Sequence, residues 1–183
     1  MSVNNHALSN EIDMDEVNKL QERIDNNSKL IDEIVSKLVS DYCKPLDDYV
    51  KFIQDLLKDD KNPPTDLELD DFVMNLPVLL YFTGEGMESL GIKEDTSKAI
   101  KMELYNEIYN THKGTIADKT AKAELATQSE YIVNMAYSRA YKKIKLRLDI
   151  GNELLQSIKK VITRRTSEYE LGKVDQGRFK NGR

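Results

Sequence analysis

Two histidines, a lone cysteine, a knot of carboxylates and one strongly basic stretch are the parts of this 183-residue chain that could do chemistry. His6 lies among small polar residues and His112 at the end of a candidate helix. Neither has a Cys, Asp or His at metal-ligand spacing. Cys43 is the only cysteine, which rules out an intrachain disulfide and a cysteine zinc site, and it is expected as a buried thiol. Asp66, Glu68, Asp70 and Asp71 offer the hard oxygens that calcium takes, but they lack the central glycine and the closing glutamate of an EF-hand loop. Acids at a helix start are better explained by the helix dipole. Gly84-Glu85-Gly86 sits in no phosphate-loop pattern. No nucleophile, base and acid come together, so the chain is expected not to be an enzyme and to need no cofactor and no metal.

The basic stretch is the feature with a chemical reading. Tyr137-Ser138-Arg139-Ala140-Tyr141-Lys142-Lys143-Ile144-Lys145-Leu146-Arg147-Leu148 holds five cations, two tyrosines and no acid. Lys159, Lys160, Arg164 and Arg165 follow on the same expected helix. Arg139, Lys142, Lys143 and Arg147 fall at i, i+3, i+4 and i+8, on one side of that helix. Such a stripe attracts phosphates by releasing counterions, and tyrosines such as Tyr141 offer faces on which unpaired bases stack. The same cations would also suit an acidic protein surface or, third, plain solvation.

Here the chain resembles the phage recombination mediator (UvsY-like) family, whose members carry a short basic K-A-R-L motif. Lys145-Leu146-Arg147-Leu148-Asp149 is similar to that motif. Residues 154–165, LLQSIKKVITRR, look like the family's carboxyl-terminal assembly helix, and residues 114–124, GTIADKTAKAE, also resemble proteins of this class. The resemblance covers about residues 95–170. It implies single-stranded DNA as ligand, with Lys145 and Arg147 in contact with it. It also implies a ring assembled through the carboxyl-terminal helices, at Leu155, Ile158 and Ile162, and partners in a RecA-type recombinase and a single-strand binding protein.

The elements that position these residues read as helices throughout. The chain has four prolines, eight glycines and no tryptophan, too little turn chemistry for a β protein and too few large rings for a big compact core. Residues 1–12 read as a disordered tail. In the acidic helices of residues 13–62, Val17, Ile24, Ile31 and Leu38 recur every seven residues, with Leu20, Asn27 and Ile34 between them. This is a coiled-coil seam for a homo-oligomer or a face packed on the chain's own domain. Pro45 is expected to end or kink this helix, or to open the next, whose stripe is Leu46, Tyr49, Val50, Ile53, Leu56 and Leu57.

A loop at Pro63-Pro64 precedes a capping box, Thr65 with Glu68, which opens the central region, residues 63–113. Leu69, Phe72, Val73, Leu76, Leu79 and Leu80 form its dense apolar patch, with a kink expected at Pro77. Gly84, Gly86 and Gly91 mark an irregular turn, after which Asp95, Thr96 or Ser97 caps a further helix. Gly114 breaks the chain and Thr115 or Asp118 restarts it. Residues 114–171 then read as one long basic helix, or two meeting near Gly151, ahead of a mobile tail at residues 172–183. The expected fold is all-α: an elongated helical bundle with a short N-terminal coiled-coil-like helix and a very long C-terminal helix.

Net charge is -5 and strongly polarised. By count of Lys and Arg against Asp and Glu, residues 1–72 carry 8 − 18 = −10 and residues 139–183 carry 13 − 5 = +8. That polarity allows self-association of opposite ends, a helical adaptor acting through protein contacts, or an acidic half that mimics DNA. No signal peptide and no membrane span is read, so the expected compartment is the cytoplasm.

Overall fold

The computed structural model describes residues 14–58 and 61–180, with side chains through residue 172. The tail expected at residues 1–12 and the last residues of the tail expected at 172–183 lie outside the described residues. Among them are four α-helices and no strand: α1 Met14–Leu57, α2 Asp66–Thr111, α3 Ile116–Ala126 and α4 Gln128–Lys180.

Two clusters of buried side chains define the packing. In one, Leu46 and Ile53 of α1 meet Leu69, Phe72, Leu76 and Leu80 of α2 and Leu155 and Ile158 of α4. In the other, Val35, Val39 and Cys43 meet Leu90 and, on α4, Ala136, Ala140 and Ile144. Numbers rise along α1 and α4 but fall along α2 from one cluster to the other, so α2 runs against both. Three passes form the bundle, and α3 supplies the start of the third. Ala136, Ala140 and Ala123 are fully buried, and small side chains there let the helices approach closely. Each large apolar side chain in these clusters contributes about 1.5–3 kcal/mol by leaving water.

The arrangement differs from the expected one. α1 is not short: it has 44 residues and continues through Pro45. The proline removes one backbone hydrogen bond, but it faces solvent while Cys43 and Leu46 beside it anchor the helix to the core. α2 likewise continues through Pro77 and through Gly84, Gly86 and Gly91, where a turn was expected. Thr96 and Ser97 therefore cap nothing; their hydroxyls donate to the carbonyls of Ile92 and Glu94 inside the same helix. The long third pass breaks at Thr127 rather than at Gly151. The Thr127 hydroxyl donates to the Ala123 carbonyl, whereas Gly151 is buried and lies against Leu80 of α2, where a Cβ would come within 2.6 Å of it.

Both helix starts marked by capping boxes appear where the sequence puts them. Thr65 accepts from the Glu68 N–H while Glu68 accepts from the Thr65 N–H, and Thr115 and Asp118 repeat the exchange. These bonds hold both carboxyls below their ordinary values: for Glu68 the backbone N–H weighs most, for Asp118 the hydroxyl. A carboxyl whose folded pKa is depressed stabilises above its unfolded value, and that stability is lost as pH falls through the folded one. The ordinary values are 4.5 for Glu68 and 3.8 for Asp118. Thermal melts should therefore show an acid loss setting in below pH 4.5. Thr65→Ala should shrink that pH-dependent part while lowering stability at neutral pH by about 1 kcal/mol. An acid limb identical in wild type and variant would exclude the cap as its source.

Cys43 is fully buried, and burial first, then Asp47, pushes its thiol up to about 11. It is a packing residue.

Candidate nucleic-acid interface

α4 spans about 80 Å at 1.5 Å per residue and carries all ten residues expected at a nucleic-acid site. Packing divides them into three groups. The first is consumed within the chain. Arg147 aims Nε at both carboxylate oxygens of Asp47, at 2.9 and 3.0 Å. Lys143 stands 3.5 Å from Asp32. Arg165 donates through Nη1 to Asp66, at 2.9 Å, and to the Pro64 carbonyl, at 2.8 Å. Asp32 and Asp47 lie on α1 and Asp66 opens α2, so part of the charge polarity of the sequence is answered inside one molecule.

The second group is Tyr141, which is half-buried. Its ring lies over Gly91 of α2, 3.5 Å from where a Cβ would stand. It packs on the bundle rather than presenting a free stacking face.

The third group faces solvent: Arg139, Lys142, Lys145, Lys159, Lys160 and Arg164. Of these only Arg164 has a carboxylate within 4 Å among the described residues, its own-helix neighbour Glu168 at 3.7 Å. Arg139 and Lys142, with Lys143, also line a groove of about 400 Å³ between α4 and α1, opposite Ser28 and Asp32. α4 thus presents solvent-facing cations over several turns, an arrangement suited to phosphate oxygens. Among the described residues no group of three or more His, Cys, Asp or Glu could hold a metal ion, and no helix is long and apolar enough to cross a membrane.

The residues expected to mediate assembly separate in the same way. Leu155 and Ile158 are buried in the chain's own core, and Ile162 packs against it, which removes Leu155 and Ile158 from any surface. Ile31, Ile34 and Leu38 pack against the second core cluster. The stripe that α1 buries is the neighbouring one, Val35, Val39 and Cys43. Val17 is half-buried, and Leu20 and Ile24 are exposed.

One surface went unread in the sequence. On the side of α2 away from Leu69, Phe72, Leu76 and Leu80 stand Leu67, Met74, Val78 and Tyr81, exposed by 74, 72, 51 and 62%. The signal was there: Leu76-Pro77-Val78-Leu79-Leu80-Tyr81-Phe82 is a longer unbroken apolar run than one helix face can bury.

The class these features define is an all-helical bundle with a cationic outer helix. No family model, no curated protein and no solved structure matches the chain.

Proposed function

We propose that this chain is a single-stranded nucleic-acid-binding protein of the recombination-mediator type, acting without chemistry of its own. The observation that carries the reading is the solvent-facing set Arg139, Lys142, Lys145, Lys159, Lys160 and Arg164 on α4. Cations already committed to carboxylates on other helices would have to exchange one partner for another, whereas these, with Arg164 alone beside an exposed carboxylate of its own helix, gain phosphate contacts and release counterions at little cost. The similarity of residues 145–149 to the mediator motif adds a substrate class and a recombinase partner to that reading. Arg147 is set aside as a contact, because Asp47 holds it.

The test is fluorescence anisotropy with labelled oligo-dT over a range of salt. Wild type should bind at low salt and weaken with a log–log slope of about -0.7 per phosphate contact. Reversing Lys145, Lys159 and Lys160 to Glu should lower affinity at least ~10-fold and make the slope shallower by about 2. Affinity unchanged by the triple reversal, or no binding at low salt, would remove nucleic acid as the ligand. A helical adaptor is the second reading, favoured by the exposed apolar face of α2.

A further inference from the structure

From that face of α2 we infer that copies of this chain associate head to tail, the outer face of α2 in one copy receiving the outer face of α4 in the next. Leu67, Met74, Val78, Tyr81 and Ile92 follow a three-and-four spacing along α2, the repeat of a helix–helix seam. α2 is apolar on two opposite sides at once, and its own bundle covers only one. The rim identifies the occupant. From Asn62 to Ile92 the chain has Asp66, Glu68, Asp70, Asp71, Glu85 and Glu88 and no Lys or Arg.

Two α2 faces set against each other would align acid with acid, since Asp71, Glu85 and Glu88 occupy the remaining positions of the same seam. A partner must therefore be amphipathic and basic. α4 has that form: Arg139, Lys142, Leu146 and Ile150 follow one another at steps of three or four along one exposed flank, Arg139 and Lys142 bordering the groove against α1. Leu146 is 58% and Ile150 49% exposed, apolar residues amid cations. The two faces lie on different helices of one bundle, so the contact is heterologous, and a pair of copies keeps one free face of each kind, one on each copy. Arg139 and Lys142 are then engaged in the assembly, and strand contact falls to Lys145, Lys159 and Lys160.

The experiment is sedimentation velocity on the full chain, free of nucleic acid, over a concentration series at low salt and at about 0.5 M salt, where screening is nearly complete beyond a few ångströms. Wild type should grow in mass with concentration at low salt and shrink at high salt. Val78→Lys with Tyr81→Lys spoils the α2 face, and Arg139→Glu with Lys142→Glu spoils the α4 face. Each variant alone should stay monomeric with unchanged circular dichroism. Mixed, they should form a dimer and stop there, because one usable face remains on each. As a second route, Glu85→Lys with Glu88→Lys should also give monomers, and adding the α4 reversal to that same chain should restore association.

A wild type that stays monomeric at low salt overturns the inference. So does an α4 variant that still associates, or a mixture that forms no dimer. None of these readings uses oligo-dT or Lys145, Lys159 and Lys160, so this contact and strand binding fail independently.

Discussion

Replacing Phe72 by Ala is expected to cost about 3–5 kcal/mol of stability, measured from the midpoint of urea unfolding. Phe72 is 2% exposed and sits where α1 and α2 close on each other. The rings of Tyr49 and Phe52 meet it edge-on at 6.3 and 6.2 Å, and edge-to-face pairs add to the area that a buried ring removes from water. The loss should be felt along the whole rod, because Leu148 packs against both core clusters. One transition with an unchanged slope in urea is the expected form. A loss below about 1 kcal/mol, or two separate transitions, would show that the clusters do not fold as a unit.

Two glycines on α2 should respond oppositely to the same substitution. Gly84→Ala is expected to stabilise by about 0.5–1 kcal/mol, the helix-interior advantage of alanine. A Cβ there has nothing within 4 Å. Gly86→Ala gains the same advantage, but its Cβ would stand 2.5 Å from Cδ1 of the Tyr42 ring, with Cγ and Cβ of Tyr42 at 3.2 and 3.3 Å. A ring held that close to its own backbone cannot swing clear without moving α1. Overpacking of this kind costs about 1–3 kcal/mol, so Gly86→Ala should lower the melting temperature where Gly84→Ala raises it. The cause can be isolated: with Tyr42 shortened to Ala, Gly86→Ala should become stabilising. Equal effects at the two glycines would mean that α1 and α2 are not pressed together there.

These glycines also show where the sequence misleads. Gly84, Gly86 and Gly91 within eight residues read as a turn, since each costs a helix up to about 1 kcal/mol. The signal that offsets this cost is tertiary: Gly86 lies under Tyr42 and Gly91 under Tyr141, partners far away in the chain. A capping box is legible because both halves lie three residues apart, as at Thr65 with Glu68; at the later start the sequence offers Thr115 or Asp118, and the structure uses both, Thr115 as the cap and Asp118 as its partner. Thr127 was missed for the opposite reason. A threonine that donates to the carbonyl four residues back looks like any other helical threonine, and Thr96, Thr163 and Thr166 make the same bond without breaking anything.

The heptad in α1 is a nearer miss. Ile34 and Leu38 are each followed by a valine, so two adjacent stripes compete, and a three-pass bundle needs a face broad enough to use both. At the candidate interface the basic residues were visible as charge. Which of them are spent on Asp32, Asp47 and Asp66 depends on helix pairing, and no local pattern carries that.

The odd number of passes has a mechanical consequence. α1 and α4 run the same way, so the start of α1 and the end of α4 lie at opposite ends of the rod. A pull applied to those two points draws α1 and α4 past each other lengthwise, loading the packed seam and its ion pairs in shear along their whole extent. A bundle with an even number of passes would have both ends together and would unzip one turn at a time. Extension along the axis is therefore resisted by sliding of whole helices and not by peeling from one end.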